Sequence, residues 1–231
     1  GMLSPGQRFM VASSYNPGEV KVWDTRTKKL LYTIKDNFIN PHSTCFSADG
    51  KKLLTTDEIQ FSIWNLHDGS RVKRFTDEAA GGMASFSHNG QFLVSASEGI
   101  IRVRDAETGS VQKEILTRRN NSYPVIISPG DRYIAVCHED TICLRELSTG
   151  QVTDQYPAAP RMKKTGVSGG YELNLLKKLQ FSGNGKWLIS LYYESSLYVR
   201  DLHAKKEWLA LSKAGDFSLD ENGNRLAIKQ N

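Results

Sequence analysis

Apolar side chains recur at every second position in short runs along the chain. Val20/Val22, Ile101/Val103 and Leu197/Val199 each place a pair on one face of an extended segment. A period of two predicts β-strands. Glu98-Gly99 and Glu139-Asp140 predict one set of hairpin turns between them, and His67-Asp68-Gly69, Glu107-Thr108-Gly109 and Ser148-Thr149-Gly150 predict a second. A third turn lies inside a phrase that returns down the chain. FSADGKKLLTT from Phe46 comes back as FSHNGQFLVSA from Phe86, ISPGDRYIAVC from Ile127, FSGNGKWLISL from Phe181 and FSLDENGNRLAIK from Phe217, and LSPGQRFMVAS opens the series at Leu3. Asp49-Gly50 and Asn89-Gly90 suit its tight bend, because Gly and Asn adopt positive φ most readily.

A second phrase follows the first each time: VKVWDTRTKKLLYTI from Val20, FSIWNLHDGSRVKRF from Phe61, IRVRDAETGSVQKEI from Ile101, ICLRELSTGQVTDQY from Ile142 and LYVRDLHAKKEWLAL from Leu197. Its fourth and fifth residues are Trp23-Asp24, Trp64-Asn65, Arg104-Asp105, Arg145-Glu146 and Arg200-Asp201, at intervals of 41, 40, 41 and 55 residues. A steady period predicts a modular array in which each unit buries its faces against its neighbours. Four antiparallel strands in roughly 40 residues is the size of a propeller blade.

The expected fold is therefore an all-β propeller of four-stranded antiparallel blades. It forms a single domain over residues 1–231, with joints near residues 37, 77, 118 and 160. The phrases account for about 21 strands, which suits five blades; a six-blade ring or a piece of a larger ring are the alternatives. In this reading the first unit begins at its turn without an innermost strand, and the segment around Asp216-Phe217 fills that place.

The FSxDG-type turn, the xVxWD-type strand and the xTG turn after it resemble the WD-repeat β-propellers over nearly the whole chain. Only Trp23-Asp24 spells the eponymous pair. The family's Gly-His before the innermost strand is absent, since Asn37, Asp77 and Arg118 stand nine residues before Phe46, Phe86 and Ile127. The expectation is that the family's buried His–Ser/Thr–Trp–Asp network does not form. Arginine in the Trp slot is expected to lay its stem between blades with its head in water.

The resemblance implies a non-catalytic scaffold that binds a protein or peptide on the top face, where the connection from an outermost strand to the next innermost strand emerges. The interval of 55 places about 14 extra residues in one such connection, within AAPRMKKTGVSGGYELNLLKK. Arg161, Lys163 and Lys164 would share a face with Arg118 and Arg119 from the connection one blade earlier, with Tyr171 as an aromatic anchor. Such a surface fits an acidic or phosphorylated partner. The plain alternative is a solvated loop.

A second reading is a lactonase-like or cofactor-dependent propeller enzyme. Enzymes of that kind converge carboxylates or histidines from the starts of several innermost strands. Here those starts read Ser43-Thr44, Gly82-Met83, Tyr123-Pro124, Lys178-Leu179 and Gly215-Asp216, with one acid among them. His42, His67, His88, His138 and His203 have no metal-ligand spacing. DENGN from Asp220 occupies a turn slot and lacks the glycine position and distant Glu of a calcium loop. No phosphate-binding loop, dinucleotide fingerprint or zinc-protease motif is present, so no cofactor or metal is expected, and the chain is not expected to be an enzyme.

The net charge of +5, from 30 Lys and Arg against 25 Asp and Glu, permits an acidic partner without demanding one. Nucleic acid is not expected, because a repeated aromatic stacking platform is missing. No apolar run reaches the roughly 18 residues of a membrane span. The opening GMLSPGQRFMVASS lacks a basic stretch followed by an apolar one. Cys137 and Cys143 flank a hairpin in which they would point to opposite faces, so they cannot pair. Free thiols in a reducing, cytoplasmic setting are the expectation.

Overall fold

The computed structural model describes residues 2–14, 18–35, 43–56, 60–76, 84–97, 99–117, 125–138, 141–157, 176–192, 195–219 and 225–230. Five four-stranded antiparallel sheets follow one another in chain order. The first holds β1 (Met2–Leu3), β2 (Phe9–Ser14), β3 (Glu19–Asp24) and β4 (Lys29–Ile34). The second holds β5 (Ser43–Phe46), β6 (Lys52–Thr56), β7 (Gln60–Asn65) and β8 (Arg71–Thr76). The third holds β9 (Ala84–Phe86), β10 (Phe92–Ser97), β11 (Ile100–Asp105) and β12 (Val111–Leu116). The fourth holds β13 (Val125–Ile127), β14 (Tyr133–His138), β15 (Thr141–Glu146) and β16 (Val152–Pro157). The fifth holds β17 (Leu176–Phe181), β18 (Trp187–Tyr192), β19 (Leu197–Asp201) and β20 (Lys206–Leu211). These are the five blades that the 40-residue period predicts, and each predicted joint falls between the last strand of one sheet and the first of the next.

The contacts divide the chain into two compact units, Gly1–Val125 and Ile126–Asn231.

Two expectations about the chain ends are corrected. The first sheet has its own innermost strand, β1, which pairs Met2 with Val11 and Leu3 with Met10. The segment around Asp216-Phe217 forms β21 (Ala214–Leu219), which pairs with β22 (Leu226–Gln230) in a separate two-stranded sheet. A single turn of 3-10 helix at Pro5–Gln7 makes room for β1 by folding the chain back ahead of β2.

The recurring FS phrase has a structural cause. Ser4, Ser47, Ser87, Ser128 and Ser182 are all buried. Each donates its backbone N–H to the carbonyl five residues on, at 2.8–3.0 Å. Its hydroxyl accepts the N–H of that same residue: Phe9, Lys52, Phe92, Tyr133 or Trp187, at 2.9–3.0 Å. The serine thus closes the turn from both sides and satisfies polar groups that burial would otherwise orphan. In the sixth copy Ser218 is exposed and pairs with Ala227.

A second device repeats in all five sheets. The register between the third and fourth strands slips by one residue just before the Trp or Arg slot, and Leu31, Val72, Gln112, Thr153 and Trp208 are left unpaired and exposed. Bulges of this kind bend and twist an outermost strand.

Within each unit the apolar side chains fill the spaces between adjacent sheets. Phe9, Val11, Val20, Val22 and Ile34 of the first sheet pack with Leu53, Trp64 and Leu66 of the second. Leu54, Phe61 and Ile63 pack with Ala84, Phe86, Leu93 and Ala106. In the other unit Ile189, Leu191, Leu197 and Val199 pack against Ala214 and Phe217. Consecutive residues are buried in inner strands such as β6, β7 and β18, whereas the outermost strands β8 and β16 alternate between exposed and half-buried positions.

The predicted hairpin register around the two cysteines holds. Val136 faces Cys143 and Cys137 faces Ile142. None of the three cysteines forms a disulfide. Burial pushes the Cys45 thiol up to about 12, with a backbone hydrogen bond from Phe86 opposing it, and burial also raises Cys143 against the nearby Arg145 charge.

Candidate binding surface

One end of every sheet carries two kinds of turn, the serine-closed turn between its first and second strands and the turn between its third and fourth. The residue just before the second strand ties them together. The carbonyls of Arg8, Lys51, Gln91, Arg132 and Lys186 accept N–H groups from Thr25, Leu66, Ala106, Leu147 and Leu202, the first residues beyond the third strand. Four of these five anchored positions carry a cation. Three of those cations lie over the ring of the next residue: Arg8 on Phe9 at 5.3 Å, Arg132 on Tyr133 at 5.0 Å and Lys186 on Trp187 at 4.6 Å.

The second turn is capped by the residue after the Trp or Arg slot. Asp24 accepts from Thr27 N at 2.7 Å, Asn65 from His67 N at 2.8 Å, Asp105 from Thr108 N at 2.7 Å and Asp201 from Ala204 N at 2.8 Å. Backbone hydrogen bonds from Thr27, Thr108 and Ala204 hold the Asp24, Asp105 and Asp201 carboxyls below the ordinary carboxylate value. Gly69 closes the corner with φ of 74°, and a Cβ there would lie 2.9 Å from the ring of Tyr32. The Tyr32 hydroxyl donates to Leu66 O at 2.8 Å, and burial raises its pKa to about 12 with help from the Asp68 charge.

The Trp/Arg slot shows one limb of the family's network and departs from the expectation that the arginine heads lie in water. Trp64 Nε1 donates to Thr55 Oγ1 at 2.8 Å, so the Trp–Thr limb of the family's network is present in the second sheet. The arginine heads turn inward to their own hairpins. Arg104 donates to Gly109 O at 3.3 Å, Arg145 to Gly150 O at 2.9 Å and Arg200 to Lys205 O at 2.9 Å. The carbonyl five residues on lies within reach of a guanidinium, and a charge-assisted hydrogen bond there replaces solvation. Arg200 also pairs with Asp154 at 3.3 Å and lies 4.0 Å over the Tyr156 ring.

Clefts open at this end in both units. One, of about 490 Å³, lies between the first and second sheets; its wall includes Arg8, Phe9, Lys51, Lys52, His67 and Val72. A counterpart of about 150 Å³ lies between the fourth and fifth sheets, with Tyr133, Asp154, His203 and Lys205 in its wall.

Arg118, Arg119, Arg161, Lys163, Lys164 and Tyr171 lie outside the described residues, so neither their positions nor their shared face is tested. His42 and the Glu139-Asp140 turn also lie outside them. The innermost strands start at Ser43, Ala84, Val125, Leu176 and Ala214, so the fourth of these begins two residues before the predicted Lys178. Burial raises the pKa of Asp216, but a hydrogen bond from Phe217 N and the charge of Lys178, whose Nζ lies 3.4 Å away, outweigh it and hold the carboxyl low. Among the described residues no group of three or more His, Cys, Asp and Glu is placed to hold a metal ion. No helix among them is long and apolar enough to cross a membrane.

Sheets of four antiparallel strands in chain order, closed by the same turns and packed face to face within each unit, are blades of the β-propeller class. The family described as WD domain, G-beta repeat matches residues 71–105. The match runs from β8 through β11, that is, from the outermost strand of one blade through the third strand of the next. That match, together with the blades, supports a WD-repeat β-propeller, a class that in general serves protein interaction. No curated protein matches it.

Proposed function

We propose that the chain is a non-catalytic protein-interaction scaffold that captures an acidic or phosphorylated peptide or protein through Arg118, Arg119, Arg161, Lys163 and Lys164, with Tyr171 as an aromatic anchor. Residues 1–231 act in this reading as one domain in a reducing, cytoplasmic setting. The WD-repeat match on a framework of regular blades carries the proposal, because a rigid array that presents loops is suited to recognition. The density of cations in the long connection after Tyr156 supports the chemistry of the partner. The three cysteines, none of them in a disulfide, support the setting.

The test reverses all five cations to glutamate and compares proteins captured from an extract at fixed salt. Capture is expected to vanish with the melting temperature nearly unchanged, since exposed charges seldom support folding by more than ~0.5 kcal/mol each. Capture of the same partners by the variant overturns the reading.

A further inference from the structure

We infer that the cleft between the first and second sheets is a second docking site, which takes an acidic peptide segment with an apolar side chain. It is built from residues 8–72, at the serine-closed end of the sheets, and does not depend on the connection-borne surface proposed above.

Its wall brings Arg8, Lys51 and Lys52 together with His67, and among the described residues no carboxylate lines it. Asp49 and Asp68 stand beside these cations in the sequence and bond within their own turns, with Asp49 also offsetting part of the Lys51 and Lys52 charge and Asp68 part of that of His67. Asp49 accepts from Ser47 Oγ at 2.6 Å and Lys51 N at 3.0 Å, and Asp68 from Ser70 N at 2.9 Å and Ser70 Oγ at 2.6 Å. Three permanent cations in one concavity repel one another, and an incoming anion relieves that repulsion.

The cations sit on fixed backbone. Arg8 O accepts from Thr25 N, Lys51 O from Leu66 N, and Lys52 exchanges hydrogen bonds with Ser47 through its N–H and carbonyl. The site therefore needs little ordering on binding beyond the side chains themselves.

The rest of the wall is apolar. Phe9 is buried as its floor, while Val72, the residue left out by the bulge in β8, is 53% exposed at its rim. About 490 Å³ holds two or three side chains, and a free inorganic anion would leave Val72 uncovered. No aromatic face in the wall is exposed for base stacking, which disfavours a single-stranded nucleic acid. A peptide that alternates carboxylates with an apolar residue meets both kinds of surface.

The test is fluorescence anisotropy on the full chain with a fluorescein-labelled peptide pool that alternates fixed glutamates with degenerate apolar positions. Wild type is expected to bind, more weakly as salt rises. An Arg8→Glu/Lys52→Glu variant is expected to bind roughly tenfold less tightly or worse. Lys205→Glu, in the other cleft, is expected to bind as wild type does. The five-site reversal at 118, 119, 161, 163 and 164 is also expected to leave binding intact, so failure here is distinguishable from failure of the proposed function. If the glutamate variant does not fold by circular dichroism, Lys51→Ala/Lys52→Ala replaces it, with weaker binding again expected. Equal binding by the cleft variants overturns the inference. So does equal binding of a pool with lysine in place of glutamate, or a wild type that ignores the peptide pool and binds inorganic phosphate or single-stranded RNA instead.

Discussion

The two clefts occupy the same place in the repeat and are built from opposite materials. Between the first and second sheets the facing slots hold Tyr32 and Trp64; between the fourth and fifth they hold Asp154 and Arg200. The first pair is neutral. Each of its polar atoms bonds close to home, Tyr32 to Leu66 O and Trp64 to Thr55, so neither slot adds a charge beside the cleft. The second pair is an ion bridge of 3.3 Å, in which Asp154 brings a negative charge into the cleft wall. The positions of Lys52 and Val72 in the second sheet correspond to Trp187 and Trp208 in the fifth, whose rings meet tilted by 44° with centroids 5.3 Å apart. One framework thus yields an open basic cleft in one unit and a small, partly neutralised one in the other, through a handful of side chains and no change of backbone plan.

The comparison can be broken hardest at Trp64. It is 6% exposed, and truncation to alanine removes both the packing between the first two sheets and the bond that satisfies Thr55. Trp64→Ala is expected to destabilise by about 4 kcal/mol, read from the urea midpoint by circular dichroism. A change below about 1 kcal/mol would mean that this slot does not hold the first two sheets together.

Next comes Asp154→Ala, which leaves the Arg200 guanidinium with the Lys205 carbonyl and the Tyr156 ring but no counter-charge. Side chains about one-sixth exposed are partly screened, so a loss of about 2 kcal/mol is expected, less than for a fully buried pair. A double-mutant cycle with Arg200→Leu isolates the pair, and additivity in that cycle would show that the bridge contributes nothing.

The smallest effect compares serine with serine. Ser47→Ala leaves the Lys52 N–H without its acceptor and is expected to cost about 1 kcal/mol, and Ser182→Ala should cost about the same in the other unit. Ser218→Ala, at the copy where the serine is exposed, is expected to fall within about 0.5 kcal/mol of wild type. Equal losses at all three would detach the buried hydroxyl from its assigned work.

The blades were legible because their signals are local and repeated. Gly50, Gly69, Gly90, Gly109 and Gly150 do take the positive φ their turns require, and the spacing from Trp23 to Arg145 marks out sheets that the hydrogen bonding confirms. The two-residue β1 was not legible, since Met2–Leu3 offers too short a stretch for any period to show. The inward turn of the arginines was missed for a different reason. Whether a guanidinium reaches solvent or the carbonyl five residues on depends on hairpin geometry, although the constant offset to Gly109, Gly150 and Lys205 was a signal available in the sequence. The cleft at Arg8, Lys51 and Lys52 could not be read either, because its charges come from two repeats and become neighbours only when the sheets pack. Nothing in the described residues bears on the predicted cluster at 118, 119 and 161–164.

The double closure of each first turn by its buried serine has a consequence for how such a chain can change over time. The fold constrains the serine, the residue five positions later and, in three copies, an Asp or Asn that accepts from the serine hydroxyl, while the residue just after the serine varies from copy to copy: Ala48, His88, Pro129 and Gly183. Mutation can therefore rewrite the tip of one turn without unsettling its sheet or the others. A single duplicated unit becomes several independent sites of variation, and new specificities can arise at one end of the molecule while its core is inherited intact.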